Sequence, residues 1–370
     1  MLFIWAVTCI LVIFFAQSFL FRLFNLRRLD YARFFNKRTA FVGDKVEMVE
    51  VISNDKFLPI PWVRMESHFS PYLKFNSQEN LDISNDQYHR SIFTLLPFKK
   101  ITRRHTITCT HRGLYNLHSV TMTTGDLLGM RQLVRTFSVD ATIMVYPKIY
   151  SIWELPTPSR EFQGDVTVRR WILPDPFLFS GIRDYTPGDS MRDIHWGATA
   201  RWGKLQVTTR DFTTSPKILV LFNVLPRENL WGVLSPWEQE QMEAGVDYAA
   251  SVANWAISNG VQVGFGTNAL INGEDTYVRV QERNSEEHLF HIFDCLARLQ
   301  MQRKMAFHNI LDLEITQGVT GLDIIIITAF QSQAIHQRTA QLTAMGNSIT
   351  YVPIALRAKE ENASVQEVSA

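Results

Sequence analysis

The sequence predicts an α/β plus all-β chain in three parts: an apolar N-terminal membrane helix, a β-sandwich and a doubly wound sheet. Three observations carry this. Residues 2–21 hold no charged side chain. Between Arg38 and Pro147 the chain breaks into short β-like runs with no helical period. From Lys217 onward, apolar runs alternate with capped amphipathic segments, the pattern of repeated βα units. A chain of 370 residues is long enough for two ordinary domains. With 20% charged residues and a formal net charge of +1 it offers no global field, so no nucleic-acid partner is expected. Cys9, Cys109 and Cys295 are scattered without CxxC spacing, which indicates neither a disulfide framework nor a zinc site.

About twenty helical residues at 1.5 Å each span the hydrocarbon core of roughly 30 Å. Residues 2–21 are therefore expected to be a single-pass transmembrane helix in contact with lipid. Arg22, Arg27, Arg28, Arg33, Lys37 and Arg38 crowd its C-terminal flank while nothing basic precedes it. The positive-inside bias then places the chain in the inner, cytoplasmic membrane with its soluble domains in the cytoplasm. Residues 1–37 form this helix and a basic juxtamembrane segment.

Residues 38–150 are punctuated by turn signals, among them Val42-Gly43-Asp44, Asn54-Asp55, Arg112-Gly113 and Thr124-Gly125-Asp126. An immunoglobulin-like antiparallel sandwich of roughly seven strands is the natural solution. His105, His111 and His118 fall on different strands or loops with no ligand-like spacing, so no metal site is expected from them. Residues 151–180 carry Pro156, Pro158, Pro174 and Pro176 among mixed charges and read as a connector.

Residues 181–214 hold the densest mixture of charge, turn chemistry and aromatics. Pro187-Gly188 is a turn dipeptide. A helix is expected directly after it, capped by Asp189 or Ser190, with Met191, Ile194 and Ala198 on one face. Gly203 suits the left-handed position past the last turn. Leu205, Val207 and Thr209 then alternate with Gln206, Thr208 and Arg210 as in a half-buried strand. Three readings of Arg183, Asp184, Asp189, Arg192, Asp193, His195, Arg201, Lys204, Arg210 and Asp211 compete. One is a structural clasp of Arg and Asp forks cross-linking turn, helix and strand and fixing how two domains meet. A second is a partner-docking or anion-binding surface built on Arg192, Arg201 and Arg210. The third is acid–base catalysis by Asp189, Asp193 and His195, although no nucleophile elbow or metal-spaced histidine set accompanies them.

Residues 215–358 read as the α/β domain. Residues 217–224 (KILVLFNV) are a strand covered on both faces. Ser235-Pro236-Trp237-Glu238 opens a helix with an N-cap, a first-turn proline and a capping box, and Gly260 ends it. Strands follow at 261–267 and 276–280. Asn284 or Ser285 caps a helix that turns Leu289, Phe293, Leu296 and Leu299 inward. A buried strand at 322–328, a helix at 332–345 stopped by Gly346, and a strand at 348–356 complete the set. Residues 359–370 are expected to be a disordered tail.

The pattern of Arg183, Tyr185, Pro187-Gly188-Asp189, Arg192, Ile194, Trp196, Ala200-Arg201, Leu205 and Val207 resembles the signature of the bacterial domain of unknown function 58 family. Arg38 with Phe41-Val42-Gly43-Asp44, Asn54, Arg112-Gly113-Leu114-Tyr115 and Asp126-Leu127-Leu128-Gly129 are similar to its earlier landmarks. The resemblance implies a membrane-anchored protein that pairs a β-rich domain with a von Willebrand factor A-like domain. It also implies a neighbouring MoxR-type AAA+ ATPase. A von Willebrand-like sheet would carry an Asp-x-Ser-x-Ser metal loop after its first strand. Here that loop reads Asn223-Val224-Leu225-Pro226-Arg227, and the later strand ends offer Thr267-Asn268 and Thr328-Ala329. A hard divalent cation needs several oxygen ligands, usually anionic ones, so Asn223 marks a degenerate metal position and no cofactor is expected. No Gly-rich phosphate loop or Gly-x-Ser-x-Gly is present. The sequence therefore favours a non-enzymatic, membrane-anchored adaptor working with a MoxR-type ATPase in envelope or complex-assembly functions. The alternative is a hydrolase or anion-binding enzyme using the Asp/His/Arg cluster.

Overall fold

The structure, a computed structural model, describes residues 3–5, 7–9, 12, 15, 29–76, 81–84, 88–125, 132–156, 179–186, 191, 194–210, 217–228, 230, 234–272 and 277–355. The chain divides into two compact units, Met1–Lys148 and Ile149–Ala370.

The first unit is all β: β1 (Leu29–Phe35), β2 (Thr39–Phe41), β3 (Lys45–Asn54), β4 (Ile60–His68), β5 (Leu73–Phe75), β6 (Leu81–Ser84), β7 (Tyr88–Leu95), β8 (Lys99–Cys109), β9 (Gly113–Gly125) and β10 (Gln132–Tyr146). They form a four-stranded sheet, β1-β3-β8-β5, and a six-stranded sheet, β2-β10-β9-β4-β7-β6. Pairing is antiparallel except for β2, which lies parallel to β10. One hydrophobic core joins Met48, Ile52 and Ile107 of the first sheet to Val63, Met122 and Ile143 of the second. The two sheets are thus compatible with an immunoglobulin-like sandwich. Ten strands replace the seven or so expected, because β2, β5 and β6 are too short to show a period. A further reason is β1, which lies inside the stretch expected to be juxtamembrane. Its arginine hid the alternation that buries Leu29 and Arg33.

The expected N-terminal transmembrane helix is corrected. Among the described residues no helix is long and apolar enough to cross a membrane. The described residues of that stretch, 3–5, 7–9, 12 and 15, are helical. The rest of the expected helix lies outside the described residues.

The second unit opens with a 3-10 turn at Ile152–Glu154, and most of the expected connector lies outside the described residues. A two-stranded antiparallel sheet of β11 (Phe179–Asp184) and β12 (Gln206–Arg210) follows, with helix α1 (Trp196–Trp202) between them in sequence. The main sheet has the order β16-β14-β13-β18-β19, from β13 (Lys217–Phe222), β14 (Gln262–Thr267), β16 (Arg279–Arg283), β18 (Asp323–Thr328) and β19 (Ser348–Pro353). All neighbours are parallel except the edge strand β16. A small antiparallel pair, β15 (Ala269–Ile271) with β17 (Leu299–Arg303), stands apart. Helices α2 (Pro236–Ser258), α3 (Glu286–Arg298), α4 (Phe307–Thr316) and α5 (Gln333–Ala344) complete the unit.

Both faces of the sheet are covered. Leu219, Leu221, Ile324 and Ile326 pack against Phe307 and Ile310 of α4 and Ile335 and Leu342 of α5. On the opposite face α2 approaches so closely that a Cβ on Gly245 would lie 2.5 Å from the Phe222 ring. The strands therefore read as continuous apolar runs. Ser235 and Glu238 form the expected capping box of α2, and Ser285 and Ser332 cap α3 and α5. The expected tail, residues 359–370, lies outside the described residues.

Candidate functional site

Polar chemistry gathers in several places among the described residues, and three of them are built from their strands upward. The first is the charged turn-helix-strand unit. Tyr185 N donates to Leu205 O at 2.9 Å and His195 N donates to Gln206 O at 2.8 Å, so segments on either side of the turn close onto the start of β12. Buried Ile194 bridges Val207. Helix α1 starts later than the sequence suggested: His195 is its N-cap, and the ring Nδ1 accepts from Ala198 N at 3.0 Å. The expected caps, Asp189 and Ser190, lie outside the described residues. Gly203 takes the left-handed position as expected, at φ 68°, and its N–H donates to Thr199 O.

The hub of the unit is a residue the sequence had assigned to a solvated face. Gln206 is buried, its N–H donates to Thr199 Oγ1 at 3.0 Å, and its Nε2 donates to Asp184 Oδ1 at 2.5 Å. Arg183 Nη1 donates to Asp184 O and Thr186 Oγ1. These cross-links use the Gln206 amide, the Asp184 carboxylate, the Arg183 guanidinium, the Thr186 and Thr199 hydroxyls and backbone groups. Arg201 is exposed in the last turn of α1, and the Arg210 backbone pairs with Phe179, its side chain lying outside the described residues. Gly188, Asp189, Arg192 and Asp193 also lie outside them. The aromatics face water, Trp196 at 66% and Trp202 at 74% exposure, with Met191 and Leu205 exposed as well.

The second place is the carboxyl end of the parallel strands. Asn223, Asn268 and Thr328 leave three different strands and meet there, all fully or almost fully buried. Asn223 Nδ2 donates to Thr328 Oγ1 at 3.1 Å, and Thr328 Oγ1 donates to Phe330 O at 2.8 Å. Asn223 Oδ1 accepts from Asn268 Nδ2 at 2.9 Å and Leu225 N at 3.2 Å, while Asn268 Oδ1 accepts from Val224 N at 2.8 Å. Each amide oxygen already accepts, and among the described residues no carboxylate is hydrogen-bonded to them. This donor set fits a hard cation poorly, since it supplies no negative charge and Asn223 Oδ1 already accepts twice. Neutral hydrogen bonds close the end of the sheet.

The third place was missed by the sequence reading, which weighed His105 only against His111 and His118. Inside the sandwich, buried Glu50 forms an ion pair with buried Arg33. Its Oε1 also accepts from Tyr31 Oη at 2.8 Å, and its Oε2 meets His105 Nε2 at 3.0 Å and the Ser91 hydroxyl at 3.2 Å. His89 Nδ1 stands 3.9 Å from Oε1, and its ring stacks on Phe75. The signal was the phase of β3: Val46, Met48, Glu50, Ile52 and Asn54 are all buried, so Glu50 occupies a core position of the alternation.

Burial would raise the Glu50 carboxyl, but the His105 hydrogen bond and the charge of Arg33 outweigh it and hold the group well below the usual carboxylate range. Burial pushes His89 down to about 3 against the opposing pull of Glu50, so the imidazole is neutral. One ligand atom from each of Glu50, His89 and His105 lies within 4.8 Å of the others, a donor set of the type zinc accepts. The charge count decides against it. Arg33 already neutralises Glu50, and a dication would leave a net charge of about +2 among buried side chains, a heavy desolvation cost. The cluster is a buried Arg33–Glu50 ion pair whose carboxylate also meets His105 and Ser91, beside a neutral His89.

Comparison with known proteins places a family model described as "Protein of unknown function DUF58" on residues 181–363. The "Uncharacterized protein YeaD" of Bacillus subtilis (strain 168) is 23% identical over 279 residues, 75% of this chain and 64% of the relative. The match therefore spans less than two thirds of that protein's length. Among solved structures, a non-cellulosomal cohesin from Archaeoglobus fulgidus is 11% identical, with a TM-score of 0.24 over 31% of this chain and 91% of that one. The third cohesin ScaC from Acetivibrio cellulolyticus is 14% identical, with a TM-score of 0.24 over 31% and 99%. Likenesses at this level carry no inference beyond themselves.

Proposed function

Because the chain belongs through residues 181–363 to the DUF58 family of proteins of unknown function, whose name assigns no reaction, we propose that its α/β unit is a docking module rather than an enzyme. One observation carries the reading. The histidine that acid–base chemistry would need, His195, is committed to capping α1, while Trp196 and Trp202 of the same helix stand exposed. Tryptophan is the residue type most enriched among interface hot spots, since its large rigid surface loses little conformational freedom on burial. The closed amide network at the strand ends supports the same reading, because the place where such sheets bind ligands is filled by the chain's own side chains.

The partner is the MoxR-type AAA+ ATPase that the family resemblance implies. Size-exclusion chromatography of the purified chain mixed with that ATPase tests this. Co-elution that is lost in Trp196→Ala/Trp202→Ala, with the melting temperature kept, is the expected result. Independent elution of the two parent proteins would overturn it.

A further inference from the structure

At one end of the sandwich, the loop from β3 to β4 and the loop from β7 to β8 each cross between the two sheets, and they are tied to one another. Asn54, fully buried, donates from Nδ2 to Leu58 O and to Leu96 O, both at 3.0 Å. Phe98 N donates to Lys56 O at 3.3 Å. The tip is thus braced by hydrogen bonds, yet it shows water an apolar surface: Phe57 is 82% exposed, Phe98 65% and Leu96 57%. Phe98 also sits at φ 53°, the only non-glycine residue at positive φ among the described residues. A bulky residue holds that conformation only where its surroundings impose it. Single exposed apolar side chains need no explanation, but three converging on two braced loops do.

Charge says what they face. Lys99 and Lys100 are exposed beside Phe98, Lys56 between the loops is buried, and Asp55 is the one acidic residue of this tip. The tip therefore shows an exposed apolar patch flanked by two exposed lysines. A bilayer needs no complementary groove to receive such a patch. Aromatic rings enter the boundary between headgroups and acyl chains, and lysines meet anionic headgroups.

We propose that Phe57, Leu96 and Phe98, with Lys99 and Lys100, form a peripheral docking tip for an anionic lipid surface. This contact is a shallow insertion of loops, not a span, and it is independent of the docking helix α1.

Co-sedimentation of the full chain with phosphatidylcholine vesicles, with and without phosphatidylglycerol, tests it. Binding should require phosphatidylglycerol and weaken with salt. It should fall about ten-fold or more in Lys99→Glu/Lys100→Glu, since each lysine near an anionic surface is worth about five-fold. Phe57→Ser/Phe98→Asn should abolish it, and asparagine tolerates the positive φ so that the loop keeps its shape. Equal melting temperatures show that the variants fold. No phosphatidylglycerol-dependent binding by the parent, or equal binding by all three proteins, overturns the proposal. Indifference to both vesicles together with loss of ATPase binding in Phe57→Ser/Phe98→Asn would assign the tip to a protein partner and overturn it equally.

Discussion

Single residues decide both buried polar sites. His89 and Glu50 are each held below their ordinary values of 6.5 and 4.5, so the unfolded chain takes up protons before the folded one does. Their contribution to stability is complete above pH 6.5. It is lost as pH falls, first through His89 and then, below about pH 4.5, through Glu50 as well. Melting temperatures measured from pH 7 to pH 4 should fall accordingly, and His89→Phe should flatten the upper part of that curve. Glu50→Gln strands the Arg33 charge in the core and should cost about 3–5 kcal/mol in urea denaturation. At the strand ends, Asn223→Asp sets a carboxylate against Thr328 Oγ1, which already donates to Phe330 O. A loss of about 2–4 kcal/mol follows, and Mg²⁺ should not restore it. The sequence named Asn223, Asn268 and Thr328 because strand ends can be counted from their apolar runs. It passed over Arg33, Glu50 and His89 because a charge at a core phase of a strand looks like a break in the pattern.

Elements were legible where caps and periods agreed. Helices α2, α3 and α5 each begin at a serine whose side chain accepts from the first turn; α2 and α3 were read from that signal and α5 from its stop at Gly346. Helix α4 begins at Ala306 without a side-chain cap and buries Glu314 beside Phe307, Ile310 and Leu311, so it carried neither a start signal nor a clean apolar face. Helix α1 was displaced for a similar reason, since histidine is not among the residues that announce a cap. His195→Ala should cost about 1 kcal/mol and His195→Ser should recover most of it, measured by thermal denaturation. Gly245 in α2 poses a sharper test. Alanine would gain about 1 kcal/mol of helix propensity, but its Cβ would meet the fully buried Phe222 ring, and overpacking costs about 1–3 kcal/mol. Net destabilisation by Gly245→Ala is the expected outcome.

At the scale of the whole chain, the change from short β runs to alternating strand and helix was visible in the sequence, because periods of 2 and 3.6 residues leave different traces. The N-terminal apolar run was read as a membrane span from its length, its lack of charge and its basic flank, and the described residues do not support that. Function was the least legible, because exposure is a tertiary property: nothing in the sequence separates an exposed Trp196 from a buried one. The central claim is that α1 and its flanking strand form the contact surface. Hydrogen–deuterium exchange on residues 194–207, with and without the MoxR-type ATPase, tests it most directly. Slower exchange confined to that stretch is the predicted result, and unchanged exchange there in a mixture shown to be bound would contradict the account.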